Sequence, residues 1–315
     1  MSRGVLSVSP SPVVAVGLQQ ACGAYAADLI AVRLKQLVAL QAEVLADRDP
    51  EPLHQMRVAC RRLRSTLEQF DAALLLPQDD APGRLARVGR RLGLARDLDV
   101  LRQRLEQQLL PLLPEKELAA VRKWLKPLRR ERRHAFEAVE DALKGRRYLK
   151  LLAELQGWLR DPRFQVMGHQ PIGDWLPELR QVVIGDLLTL PGWHSDHPYK
   201  PETSAALHLL RRRLKRARYG LANLRDLEPE RLQPWLQRLK GMQQSLGDLH
   251  DLQMLDHALH HHLDEAPDRV VPCLCSLLAE GRDRAWLEWE ALAAPLRSVA
   301  GRRALHALMV CPASL

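Results

Sequence analysis

Apolar residues recur at the three- and four-residue spacing of amphipathic helices from residue 18 to residue 310. No segment shows the alternation of a β-strand, and no hairpin signal is present. Proline and glycine divide the pattern into segments. It predicts an all-α protein, with a break near Gly145 in the fourth helix and near Pro295 in the eighth. The predicted helices are 18–46, 53–75, 84–109, 115–160, 172–190, 203–226, 231–264 and 270–310.

The second half of the chain repeats the first at an offset of 154 residues, without a gap. His54 aligns with His208 and Leu92-Gly93 with Leu246-Gly247, and apolar positions keep the same register. This indicates a duplication and predicts two four-helix bundles related by a pseudo-twofold axis. The predicted division is an N-terminal tail at 1–17, a first bundle at 18–160, a linker at 161–171, a second bundle at 172–310 and a C-terminal tail at 311–315.

Composition supports a folded helical protein with a polyanionic partner. Hydrophobic residues make up 46% of the 315 residues, which excludes a disordered chain, and the aromatic share of 4% disfavours an all-β fold. Lys and Arg number 47 against 38 Asp and Glu, which leaves a net charge of +9. Such a surplus favours nucleic acid, an anionic membrane or a phosphate polymer as partner.

Cysteine usage and hydropathy indicate a cytoplasmic protein. The five cysteines form no Cys-x-x-Cys pair, which predicts a reducing compartment and no structural zinc. No run of about 18 uncharged apolar residues is present, so we expect no transmembrane helix and no membrane partner.

The helix at 53–75 carries its cations beside its apolar face rather than opposite to it. On a wheel of about 100° per residue, the arginines lie at about 280–340° and the apolar residues at about 160–260° from His54. No acidic residue occurs within 54–64 or within 208–218. The pattern predicts a cleft walled by two helices that binds an anion through His54, Arg57, Arg61, Arg64, His208, Arg211, Lys215 and Arg218.

Arginine suits such a site because its planar fork donates in pairs to phosphate oxygens and stays charged. Asp97 and Asp251 recur at equivalent positions, and we expect them to pair with these arginines and orient them. A further basic stripe in the first half adds a candidate flank. The stripe is Arg122, Lys126, Arg129 and Arg133. The whole candidate flank is Arg62, Lys126, Arg129, Arg132, Arg133 and Arg282. An alternative interpretation is that the flanking arginines, Arg62 in particular, are simply solvated.

Four segments resemble a known family. The sequences are HQMRVACRRLR at 54–64, HLLRRRLKRARY at 208–219, LGDLHD at 246–251 and RRYL at 146–149. They are similar to the signature of the CHAD domain, the conserved-histidine α-helical domain. The resemblance spans residues 18–310 and implies two four-helix bundles that bind long-chain inorganic polyphosphate in a central basic cleft and associate with polyphosphate granules. It implies a binding module without catalysis or cofactor, with the eight residues above as ligands.

Two departures from the family pattern concern the extent of the site. The helix at 172–190 is commonly basic in such domains but here carries only Arg180, and Arg213 is an additional cation. A triphosphatase marker, Glu-x-Glu-x-Lys, is missing, and no catalytic triad or phosphate-binding glycine loop stands out.

Two other functions stay open at this point. A metal could bind the histidine-rich helix, where His250, Met254, His257 and His261 share one face, although the first half has no counterpart. Nucleic acid would satisfy the same electrostatics, but no base-reading motif accompanies the cations.

Overall fold

The computed structural model describes residues 17–77, 80–198, 200–262 and 266–310. These residues are overwhelmingly helical, and the strand pairing among them is limited to two isolated bridges, so the all-α prediction is confirmed. The helices are α1 (Cys22–Ala46), α2 (Pro50–Gln69), α3 (Ala81–Arg104), α4 (Glu115–Lys144), α5 (Arg146–Trp158), α6 (Leu176–Ile184), α7 (Pro201–Asn223), α8 (Pro229–His262), α9 (Pro272–Arg297) and α10 (Val299–Val310). Within the described ranges, none of them combines the length and apolar character that crossing a membrane requires.

Helix α2 shows how the local sequence sets the helix position. Asp49 caps the helix by accepting a hydrogen bond from the Glu51 amide at 2.7 Å, and Pro50 occupies the first turn, where no amide donor is needed. The apolar positions, from Leu53 to Leu67, are buried. The cations beside this apolar stripe are thereby held at the margin of the core.

Two predicted breaks are present and one predicted helix is wrong. The fourth segment breaks at Gly145, and the eighth is interrupted at Ser298, three residues after Pro295. The segment 172–190, predicted as one helix, forms only α6 with a 3-10 turn on each side. After Ile184 the chain leaves the α-helix, and the carbonyl of Leu187 accepts a hydrogen bond from Trp193 Nε1 at 2.6 Å.

The two halves use the same helix contacts. In the first half α2 packs against α1 and α3, and α3 packs against α4. In the second half α7 packs against α6 and α8, and α8 packs against α9. Across the halves, α2 contacts α7 and α3 contacts α8. The four helices α2, α3, α8 and α7 therefore form a closed ring of contacts at the centre of the molecule.

The apolar cores are shared between the halves. One cluster joins Leu63 of α2 to Leu221 of α7, and a second joins Trp124 of α4 to Leu255 of α8. The segment predicted as a linker packs on the first half, where the Gln165 amide donates to the carbonyl of Ala73 at 3.1 Å. The division of the chain into two bundles at residues 161–171 stays a prediction, because the apolar packing runs across this segment.

A buried polar network lies where equivalent positions of the repeat meet. Asn223 Nδ2 donates to Gln69 Oε1 at 2.7 Å, and these two residues are 154 positions apart. Arg33 Nη2 donates to Asn223 Oδ1 at 2.6 Å, and the hydroxyl of Tyr25 donates to the Asn223 carbonyl at 2.6 Å. Gln69 and Asn223 occupy equivalent positions of the predicted repeat, so the pseudo-twofold axis expected from the sequence would pass close to their hydrogen bond.

We predict that Asn223→Ala destabilises the fold by about 1–3 kcal/mol, because it leaves buried groups of Gln69 and Arg33 without partners. Urea unfolding followed by circular dichroism measures the change. Gln55→Ala is the control, since Gln55 bonds only to the exposed carboxylate of Glu51. Equal unfolding midpoints for the two variants would contradict the prediction.

Candidate polyanion-binding site

The central ring of helices brings together basic residues of both halves. Arg57 on α2 donates to Asp97 on α3, with 2.7 Å between Nη1 and Oδ1. Arg211 on α7 lies 4.0 Å from Asp251 on α8, measured from Nη2 to Oδ1. The expected pairing is therefore close in the first half and looser in the second. Arg211 Nε is buried and has no hydrogen-bond acceptor among the described residues.

Two glycines allow these arginines to approach the neighbouring helices. A Cβ atom at Gly93 would lie 3.5 Å from Arg57 Nη2, and one at Gly247 would lie 3.7 Å from Arg211 Nη2. An added methyl group would only touch each guanidinium, whereas a longer side chain would compete for its position. The repeated Leu-Gly pairs thus place both guanidinium groups at equivalent positions on α3 and α8.

Arg61 and Arg218 flank a buried aromatic ring. The guanidinium carbon of Arg61 lies 5.6 Å from the centre of the Tyr219 ring, and that of Arg218 lies 4.7 Å from it. Burial lowers the pKa of Arg61, and the neighbouring cations Arg57 and Arg211 lower it further. In the sequence, Tyr219 stands out only as part of a motif. Its role in positioning two site arginines depends on the contact between α2 and α7.

Lys215 occupies the repeat position of Arg61 and is the most strongly perturbed cation. Burial, followed by repulsion from Arg211, Arg61 and Arg57, lowers the pKa of Lys215 to about 6, and Asp251 only partly opposes this. Its amine is therefore largely uncharged near pH 7 in the free protein. The carboxylates of the site, Asp97 and Asp251, compensate only part of its positive charge.

Three histidines border the site. Burial lowers the pKa of His54, with Arg96 adding to the effect, and burial together with Arg211 lowers the pKa of His208. The ring of His250 lies 5.3 Å from that of His208, and burial lowers the pKa of His250 to about 4. His250 is part of the LGDLHD segment and of the possible metal site, but it is not among the eight ligands predicted from the sequence. Its spacing of three residues from Gly247 places it on the face that Arg211 contacts, which is the signal that identifies it.

The predicted flank does not join this centre. Arg132 is bound by Asp47 and by the buried Asp99, and Arg282 donates to Asp256 at 2.6 Å. The charge of both arginines is thus compensated within the protein. Their partners lie far away in sequence or on another helix, so helical periodicity could not reveal them. The other flank residues are exposed, and no described contact links them to the centre: Arg62, Lys126, Arg129 and Arg133.

The described residues contain no cluster of three or more His, Cys, Asp or Glu that could hold a metal ion. Met254 and His261 are exposed on α8.

Comparison with known proteins identifies the family. The family model of the CHAD domain matches residues 28–260, which is most of the chain. The chain belongs to the CHAD domain family. Two solved structures share the fold at low identity. The crystal structure of the CHAD domain from the plant Ricinus communis has a TM-score of 0.61 and 23% identity, and covers 96% of this chain and 98% of its own. PptA from Streptomyces chartreusis has a TM-score of 0.63 and 19% identity, and the match covers 90% of this chain and 99% of the PptA chain.

Curated relatives of this CHAD chain occur in Mycobacterium tuberculosis. Uncharacterized protein MT2285 of strain CDC 1551 / Oshkosh and Uncharacterized protein Rv2226 of strain H37Rv are each 30% identical to it over 200 residues. The alignments cover 61% of this chain but only 38% of each relative. The chain therefore spans little more than a third of the length of these relatives.

We predict that Lys215 titrates near pH 6 in the native protein. After reductive methylation with ¹³C-formaldehyde, NMR of the lysine methyl groups should show one resonance with this pKa, absent from the spectrum of Lys215→Arg. In urea that resonance should return to the ordinary lysine value of about 10.4. Arg211→Gln should raise the native pKa by removing a repelling cation. A native pKa near 10 would contradict the burial and repulsion described above.

Proposed function

We propose that this chain binds inorganic polyphosphate, without catalysing a reaction on it, where α2 meets α7. The observation that carries the proposal is the meeting of Arg57, Arg61, Arg211 and Lys215, drawn from both halves and compensated only in part by Asp97 and Asp251. The proposed ligands are His54, Arg57, Arg61, Arg64, His208, Arg211, Lys215 and Arg218. Polyphosphate is also the ligand that the CHAD resemblance implies.

The chemistry of the site suits a linear polymer of phosphates. Arginine forks donate in pairs to phosphate oxygens, and an arriving anion would restore the charge of Lys215. A long chain that crosses the local pseudo-twofold axis contacts equivalent residues of both halves. A pyrophosphate ion reaches only some of them, so it should bind much more weakly. Association with polyphosphate granules would follow from the same contacts.

One observation favours polyphosphate over single-stranded nucleic acid. Nucleic-acid sites of this kind combine cations with exposed aromatic rings on which bases stack. Here Tyr219 is only 5% exposed, and two arginines lie against its ring. Among the described residues of the centre, no Phe, Tyr or Trp ring is presented for a base.

We predict that Arg57→Ala and Arg211→Ala each weaken polyphosphate binding by roughly 1.5–3 kcal/mol, the contribution of a charge-assisted phosphate contact. Wild-type affinity should fall linearly with salt on a double logarithmic plot, and each variant should lower that slope by about 1. Titration calorimetry over a salt series measures both effects.

Arg213→Ala is the matched control for these variants, because Arg213 pairs with Asp186 at 3.1 Å and is not among the proposed ligands. It should bind like the wild type. Wild-type affinity that does not change with salt would contradict the proposed function. Loss of helicity in Arg57→Ala or Arg211→Ala would show instead that the arginine is a structural ion-pair partner.

We predict that affinity rises as pH falls from about 8 to 6, where histidine titrates. The pKa values of His54 and His208 are lowered in the free protein, and a bound polyanion raises them. The complex then holds more protons than the free protein, so protons promote binding. Lys215, with a pKa of about 6 in the free protein, contributes in the same direction over this whole range.

The double variant His54→Gln, His208→Gln separates these contributions. It should flatten the pH profile, and adding Lys215→Arg should remove most of the remaining slope. Affinities measured at fixed salt between pH 6 and pH 8 provide the test. A double variant with the wild-type pH profile would show that the two histidines do not face the ligand.

A further inference from the structure

The outward side of α4 carries a dense group of cations that the central site does not use. Residues 122–133 contain seven basic residues and one acidic residue, Glu131. Arg132 points into the protein, toward Asp47 and Asp99. The remaining six are exposed, and we call them the outer α4 face: Arg122, Lys123, Lys126, Arg129, Arg130 and Arg133.

These six side chains form a continuous strip. At about 100° per residue they fall within an arc of about 120°, and at about 1.5 Å per residue the strip is about 16 Å long. Arg129 pairs with Glu106 at 2.9 Å. Among the described residues, Lys126 and Arg133 form no ion pair. Like charges one helical turn apart repel, so the strip destabilises the free helix and would be relieved by a bound anion.

The duplicated architecture does not require this charge. At the repeat offset, residues 276–287 of α9 carry two basic and two acidic residues, Arg282 and Arg284 against Glu280 and Asp283. The equivalent segment is thus neutral and takes part in the same helix packing, since α9 packs on α8 as α4 packs on α3. The cations of the outer α4 face are a property of the first half alone.

We propose that the outer α4 face is a second binding surface for the same polyphosphate chain, which extends from the central site. This inference rests on the proposed function. Helix α4 packs on α3, which carries Asp97 and Gly93 of the centre. Packed helix axes lie about 8–10 Å apart, so a chain that leaves the contact of α2 and α7 reaches α4 within about two such spacings.

The chemistry of the face favours polyphosphate over a membrane or a nucleic acid. The tryptophan of helix α4, Trp124, is 3% exposed and belongs to the second apolar core together with Leu125 and Leu128. The apolar side of α4 is therefore occupied and cannot enter a bilayer. Among the described residues of α4, neither Trp124 nor Phe136 is exposed for stacking on a base. A linear polyanion without bases needs only the cations.

Binding to two linked surfaces makes the second contact intramolecular, which raises the affinity for long chains but not for short ones. The test compares a short polyphosphate of about four phosphates, too short to reach α4 from the centre, with one of about a hundred phosphates. The variant is the triple change Arg122→Gln, Lys126→Gln, Arg133→Gln. A matched control removes the same charge from exposed positions elsewhere: Lys240→Gln, Arg284→Gln, Arg303→Gln.

We expect the α4 triple variant to weaken long-chain binding by about tenfold or more and to lower its salt slope by about 2–3, with short-chain binding within about twofold of the wild type. The control triple should stay within about twofold for both polymers. Equal losses for the two triples, or an unchanged preference for long chains in the α4 variant, would overturn the inference while leaving the central site intact.

A wild-type protein that binds neither polymer would instead refute the proposed function itself. Single-stranded DNA of matched charge completes the test. Equal affinity for DNA and long polyphosphate, lost equally in the α4 variant, would show a general polyanion surface and overturn the assignment to polyphosphate.

Discussion

Repulsion among cations held at the contact of α2 and α7 is the constraint on which this structure depends. Burial lowers the pKa values of Arg61, Arg211 and Lys215, and repulsion from neighbouring cations, Arg57 among them, lowers these pKa values further. Asp97 compensates Arg57, but Asp251 lies farther from Arg211. The two shared apolar cores and the buried network around Asn223 must hold these charges together against their repulsion. A polyanion that enters the site relieves this repulsion, which is why binding is the function that the geometry supports.

The duplication gives the two halves the same scaffold but not the same chemistry. At the repeat offset, Lys215 is equivalent to Arg61 and His250 is equivalent to Arg96. Arginine stays charged at these positions, whereas the pKa values of Lys215 and His250 fall to about 6 and about 4. The second half therefore holds the two most strongly perturbed groups of the site, whereas the outer α4 face belongs to the first half.

Much of this architecture could be predicted from the sequence, because helical periodicity and the repeat are both local patterns. The helices α2 and α7 and their basic margins follow from spacing, and the pairing of Arg57 with Asp97 is expected because Asp97 recurs as Asp251 at the repeat offset. The ion pairs of Arg132 could not be predicted, since its partners Asp47 and Asp99 come close to it only in the folded chain. The depressed pKa of Lys215 also needs the three-dimensional structure, because burial is its main cause.

A crystal structure of the protein with a bound polyphosphate chain tests the central claim most directly. The account predicts continuous density that crosses the contact of α2 and α7, with phosphate oxygens within hydrogen-bond distance, about 2.7–3.2 Å, of Arg57 and Arg211. Arg61 and Lys215 should face the same chain. Density confined to another surface, with the two arginines still bound only to Asp97 and Asp251, would contradict the account.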